Sequence, residues 1–146
     1  MEIVTNLIQL RKPSTEVVSE AEANEIIKKL DEAFTELKKK GKEGFGLAAV
    51  QIGIYKRVSI VRMPNGLRVD LINPKITVKH LPITFNESCY SIPGLVVKTD
   101  RYRYINVENG FDKVIMAFSD LDAIVVQHEV GHMNGRTILD NKHKKK

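Results

Sequence analysis

The 146-residue chain holds a single cysteine, Cys89, so an internal disulfide is excluded. No apolar run approaches the ~20 residues that a membrane-spanning helix needs. Thr5, Asn6 and Gln9 interrupt the stretch from Met1 to Ser14, so no secretory signal is expected. A reducing cytoplasm is then the expected setting for the thiol. Internal repeats are absent, and no Pro/Gly/Ser linker is long enough to separate one domain from another. One domain over 1–141 is expected, followed by a basic tail, 142–146. The body also lacks excess charge. The net charge of +5 comes from 23 basic and 18 acidic residues; without Lys142, Lys144, Lys145 and Lys146 the balance is 19 against 18. That gives no basis for a DNA- or RNA-binding face, and the lysine run reads as a solvated tail. What remains is an ordinary globular composition, 42% apolar and 28% charged, with length enough for one sizeable core.

Apolar residues at Ala23, Ile26, Ile27, Leu30, Ala33, Phe34 and Leu37 recur at helical spacing. Ser19 and Glu22 have capping-box spacing. Lys38 to Lys40 and then Gly41 suit a helix end. The spacing therefore predicts a helix from about Ser19 to Lys40. A glycine-rich stretch, Gly41 to Gly53, follows. Beyond it the period changes to two. Strands are predicted at Arg57–Met63, Leu67–Ile72, Lys75–His80, Leu95–Asp100, Arg103–Glu108 and Val114–Phe118, with turns at Pro64-Asn65-Gly66 and Asn109-Gly110. A second helix is predicted from Ser119 or Asp120 to Asn134, stopped by Gly135. This grouping implies an α+β fold: short, mostly antiparallel strands around a central C-terminal helix, with an N-terminal helix alongside.

That last helix carries Gln127-His128-Glu129-Val130-Gly131-His132. Histidines four apart project from one face, which Leu121, Ile124 and Val125 share. Two inward imidazoles with a glutamate after the first form a metal-hydrolase signature: the rings bind an ion and the carboxylate handles protons. A third protein ligand is wanted. Ile138 stands where a His-x-x-Gly-x-x-His continuation would place it. Asp140 and His143 remain downstream and Cys89 upstream. A thiolate with two imidazoles is a sound site for Zn²⁺ or Fe²⁺, which favours Cys89.

Gly44-Phe45-Gly46-Leu47-Ala48-Ala49 formally matches a dinucleotide fingerprint, but that motif needs a strand before it and a helix after it. Here a lysine-ended helix precedes it. The stretch reads either as a flexible helix-to-strand connection or as glycines that let a substrate backbone approach closely, with Gln51 offering a neutral amide donor. Arg101-Tyr102-Arg103-Tyr104 lacks the glycines of an RNA-recognition strand and reads as an ordinary strand or edge.

Three segments, taken in order, resemble the peptide deformylase family. Its Gly-x-Gly-x-Ala-Ala-x-Gln appears intact as Gly44 to Gln51. Its Glu-Gly-Cys-Leu-Ser appears as Glu87-Ser88-Cys89-Tyr90-Ser91, with two changes. Its Gln-His-Glu-x-Asp-His appears as Gln127 to His132, with Gly131 in place of the aspartate. The resemblance implies hydrolysis of the formyl group from N-formyl-methionine at the start of nascent polypeptides. It implies Cys89, His128 and His132 as ligands of one divalent ion, Fe²⁺ by family expectation, with Zn²⁺, Ni²⁺ or Co²⁺ as substitutes. Glu129 becomes the proton carrier. The Gln51 amide and the Tyr90 backbone N–H become donors to the formyl oxygen. Gly46 pairs with the peptide backbone, and Phe45, Leu121 and Ile124 wall the methionine pocket. Typical bacterial members carry a further C-terminal helix associated with ribosome docking; this chain is similar to short forms, bacteriophage-carried ones included. Its lysine tail could substitute as a weak contact to ribosomal RNA. The rival readings are another His-Glu-x-x-His metallopeptidase and a non-catalytic, metal-stabilised ribosome-associated module.

Overall fold

The computed structural model describes residues 2–144. The chain opens with a four-residue helix, α1 (Leu7–Leu10), whose first N–H groups are capped by the Asn6 side chain. The long N-terminal helix, α2, runs Glu20–Lys39. Ser19 Oγ accepts the Glu22 N–H at its start, and Gly41 follows its end at φ +73°. Its buried stripe is Ala23, Ile26, Leu30, Ala33, Phe34 and Leu37, as the periodicity predicts.

Two antiparallel sheets follow. In the first, β1 (Gly46–Ala48), β2 (Val58–Arg62) and β3 (Arg68–Ile72) lie in that order. In the second, β4 (Lys75–Cys89), β5 (Ile92–Asn109) and β6 (Val114–Ser119) do the same. A 3₁₀ turn, Ala49–Ile52, leaves β1. The final helix, α3 (Asp120–Met133), packs on strands of both sheets. The core follows this layering. Leu30 and Phe34 of α2 meet Leu47, Val58 and Ile60 on one side of the first sheet. Val61, Val69 and Leu71 on its other side meet Val126, Val130 and Met133 of α3. Ile105, Val107 and Phe118 of the second sheet close over the same helix. The fold is α+β, with α3 at its centre.

Three features depart from the expected elements. The expected strand Lys75–His80 runs on to Cys89, through Leu81 at φ +61°. The two expected strands Leu95–Asp100 and Arg103–Glu108 are one, β5, which lies between β4 and β6; Arg101 and Tyr102 pair with β4 alone, since pairing with β6 begins at Tyr104. The expected apolar stripe of α3 widens: Ala123 to Gln127, Glu129, Val130, His132 and Met133 are all buried. Of the expected solvated tail, Lys142 bridges to Thr99 and the His143 N–H donates to Lys98 O at 2.7 Å. Lys145 and Lys146 lie outside the described residues. Among the described residues no helix is long and apolar enough to cross a membrane.

Candidate active site

β4 ends at Cys89, and the chain turns through Tyr90 and Ser91 into β5. The turn brings Cys89 Sγ to 3.5 Å from His132 Nε2. On α3, the four-residue spacing sets the two rings 4.8 Å apart, with their Nε2 atoms at 3.1 Å. Sulfur and both ring nitrogens lie within 4.8 Å of one another. Such a donor set fits a divalent ion.

Glu87 fixes how His128 faces this cluster. The carboxylate is buried and accepts from Thr99 Oγ1, from Arg101 Nε at 2.6 Å and Nη2 at 3.0 Å, and from His128 Nδ1 at 2.8 Å. Burial alone would raise its pKa, but the His128 and Arg101 hydrogen bonds outweigh that and bring it down to about 2. An ionised carboxylate only accepts, so Nδ1 of His128 carries a proton and Nε2 is turned toward Cys89 and His132. Burial opposes charge on His128, yet hydrogen bonds to Cys89 and Glu87 hold its pKa well above the usual value. His132 is held well below it, by burial and then by His128.

Glu129 lies between α3 and the first sheet. A Cβ added at Gly46 would sit 2.6 Å from Glu129 Oε2 and 3.0 Å from the Ile60 carbonyl oxygen, so only glycine lets the carboxylate reach β1. Burial pushes the Glu129 pKa up to about 7, against the opposing pull of His128 and Ser59. A carboxyl poised there suits a proton carrier at neutral pH. Gln51, on the 3₁₀ turn, is oriented by three contacts. Its Oε1 accepts the Ala48 N–H at 2.9 Å; its Nε2 donates to Ser91 Oγ at 3.0 Å and lies 3.6 Å from Cys89 Sγ. The Tyr90 ring lies beneath Gly44, where an added Cβ would meet it at 2.4–2.6 Å, and stands edge-on to Phe34 with centroids 6.4 Å apart.

A cavity of about 270 Å³ opens onto the cluster. It is bordered by Phe45, Gly46, Gln51, Cys89, Tyr90, Leu121, Ile124, His128 and Glu129. His132, the remaining residue singled out from the sequence, sits behind them at 1% exposure. The other candidate ligands lie elsewhere: Asp140 Oδ2 accepts the Thr137 N–H at 2.8 Å, and His143 pairs with Asp100 at 2.7 Å. Sequence reasoning assigned no role to Glu87, Arg101, Ser59, Ser91, Phe85 or Val125. Glu87 and Ser91 flank the cysteine in its motif, which was the available signal; Val125 shares the histidine face of the last helix, and Phe85, a further wall of the cavity, carried no signal. Gly131 has room around it, since an added Cβ would come no closer than 4.0 Å, to Arg136 Cβ.

The family described as polypeptide deformylase matches residues 3–146. The peptide deformylase of Helicobacter acinonychis is 35% identical over 108 residues, covering 67% of this chain and 62% of that protein. The chain thus spans less than two thirds of that relative. The peptide deformylase of Aquifex aeolicus is 34% identical over 141 residues, 90% of this chain and 80% of the relative. The crystal structure of the PDF from the Vibrio parahaemolyticus bacteriophage VP16T, in complex with actinonin, superposes with a TM-score of 0.83 at 29% identity. It covers 94% of this chain and 100% of that one.

Proposed function

This chain belongs to the polypeptide deformylase family, and from that premise we propose that it hydrolyses the formyl group from the N-terminal formyl-methionine of newly made polypeptides. We take 1–141 as one catalytic domain working in the cytoplasm on nascent chains. The lysine run offers a weak electrostatic contact to ribosomal RNA. The observation that carries the reading is the convergence of Cys89, His128 and His132 beside a buried Glu129, with Cys89, His128 and Glu129 on the lining of one cavity.

Cys89, His128 and His132 would hold one divalent ion, Fe²⁺ by expectation, with Zn²⁺, Ni²⁺ or Co²⁺ as substitutes. When bound, the ion supplies the acidity that readies a water near neutral pH and an electrophilic contact for the formyl oxygen. The chain's own groups do the rest. Glu87 holds the His128 ring in one tautomer. Glu129 takes a proton from the attacking water and returns it to the leaving amine. The Gln51 amide and the Tyr90 backbone N–H donate to the formyl oxygen as charge grows there. β1 is an edge strand of its sheet, so its outer side at Gly46 can pair with an extended peptide. Phe45, Leu121 and Ile124, joined by Phe85 and Val125, enclose the methionine side chain.

The deciding experiment is turnover of a formyl-Met-Ala peptide after anaerobic Fe²⁺ loading, with metal content measured in parallel and the unformylated peptide as control. Formate release from the first and no cleavage of the second is the expected result. Cleavage of the unformylated peptide would point to an endopeptidase, and metal binding without formate release would point to a non-catalytic module. Glu129→Ala should retain the metal and lose about 10²–10⁴-fold in kcat; near-normal turnover would remove Glu129 from its assigned role.

A further inference from the structure

We propose that Ser59 is a positioning residue that aims the Glu129 carboxylate; its kinetic consequence rests on the deformylase reading above, its geometry does not. β2 is buried on both faces from Val58 to Val61, and Ser59 is the one polar side chain in that run, at 0% exposure. A buried hydroxyl is costly unless it is hydrogen-bonded, and an apolar residue would suit the strand better. Ser59 faces α3. Its Oγ lies 2.9 Å from the Leu47 carbonyl oxygen and 3.3 Å from Glu129 Oε1. Among the described residues it is the only hydrogen-bond partner of that carboxylate. The other oxygen, Oε2, rests in the gap left by the absent side chain of Gly46. Glu129 is therefore gripped at both oxygens, sterically by β1 and by a hydrogen bond from β2.

The hydroxyl has one proton and two lone pairs. It donates to Glu129 when the carboxylate is ionised. Once Glu129 holds the proton taken from water, Ser59 can turn its own proton to the Leu47 carbonyl and accept from Glu129. The same side chain thus supports both forms of the proton carrier without a backbone shift. An alanine in its place leaves the carboxylate free to turn about its terminal bond, away from the Cys89–His128–His132 cluster.

Four enzymes test this: wild type, Ser59→Ala, Glu129→Gln and the double variant. Ser59→Ala should lower kcat by about 10- to 100-fold, the loss expected for one hydrogen bond to a charged group, with KM and metal content unchanged. In the Glu129→Gln background the same substitution should change the residual rate little, because the group it acts through is gone. Ser59→Thr, which keeps the hydroxyl, should recover most of the loss. Equal losses in both backgrounds, or none in either, would overturn the assignment of Ser59 while leaving the deformylase reading on the wild-type assay. A crystal structure of Ser59→Ala gives the answer without turnover: the Glu129 carboxylate should have rotated off Gly46, and an unmoved carboxylate would refute the proposal whatever the reaction proves to be.

Discussion

A methyl group at Gly44 has no free place to go, because the Tyr90 ring already occupies it at 2.4–2.6 Å. The ring is not free to yield, since it stands edge-on against Phe34 of α2. Among the described residues the buried phenol oxygen has no hydrogen-bond partner, and its pKa is raised to about 12 by burial and by Glu129 and Glu43. Tyr90 stands where the family motif has leucine, so this fit between residue 90 and the segment Gly44–Gly46 belongs to this chain. Gly44→Ala should therefore displace the segment that the proposed function assigns to the peptide, and raise KM several-fold with a smaller effect on kcat. Adding Tyr90→Leu to that variant should recover the lost affinity, because the smaller side chain vacates the space. Steady-state kinetics on a formyl-Met peptide check both; a silent Gly44→Ala would show that the ring moves aside at little cost. None of this is readable from spacing. The motif marks 44 and 46 as glycines, and in this chain each makes way for a different group: Gly44 for the Tyr90 ring, Gly46 for the Glu129 carboxylate.

Elements with a buried face were legible, and exposed or very short ones were not. α2 buries one stripe and sits where its periodicity places it; β3 buries Val69 and Leu71 between exposed neighbours, and β2, buried on both faces, reads as a continuous apolar run. The outer half of β4 is exposed from Lys79 to Asn86 apart from Ile83; with neither face buried, no period-two signal extends past His80. α1 and β1 are four and three residues long, below the length at which periodicity can be counted. Ser59 and Arg101 stayed hidden for another reason: each is a polar residue in a strand, and only the tertiary partner, Glu129 or Glu87, gives it meaning. α3 illustrates the opposite case, a helix whose motif outweighs its local propensity. Its Gly131 weakens it by up to ~1 kcal/mol relative to alanine, and the surroundings do not require glycine, since the nearest atom to an added Cβ is 4.0 Å away. Gly131→Ala should stabilise the protein by about 0.5–1 kcal/mol, read as a higher urea midpoint at unchanged slope, with metal content unaltered. A loss of stability would mean that this position carries a constraint beyond helix propensity.

Across the whole molecule, the site is the place where the two sheets meet through α3. Gly46 comes from the first sheet and Gln51 from the 3₁₀ turn that leaves it, Cys89 from the end of β4 in the second, and His128, Glu129 and His132 from the helix between them. Burial of Val61, Leu71, Ile105 and Val107 against α3 holds these regions together, whereas the Cys89 end rests on the smaller cluster of Cys89, Val97 and Ile138, with Ile92 and Leu139 against it. An ion shared by Cys89, His128 and His132 would tie that thinly supported end to the central helix, so its binding energy should appear as folding stability. At 1,000 times its dissociation constant, a ligand that binds only the folded state contributes about 4.1 kcal/mol. For a chain of this size that corresponds to a rise in Tm of about 8–16 °C. Chelation should lower Tm by this amount, and Zn²⁺ or Ni²⁺ should restore it. In Cys89→Ala the first leg of the tie is gone, and added metal should raise Tm by only a small fraction of that value. Scanning calorimetry of the two proteins, with and without chelator, provides the comparison. Equal metal-dependent shifts in both would place the third ligand on some residue other than Cys89, and the proposed union of the second sheet with α3 through an ion would have to be abandoned.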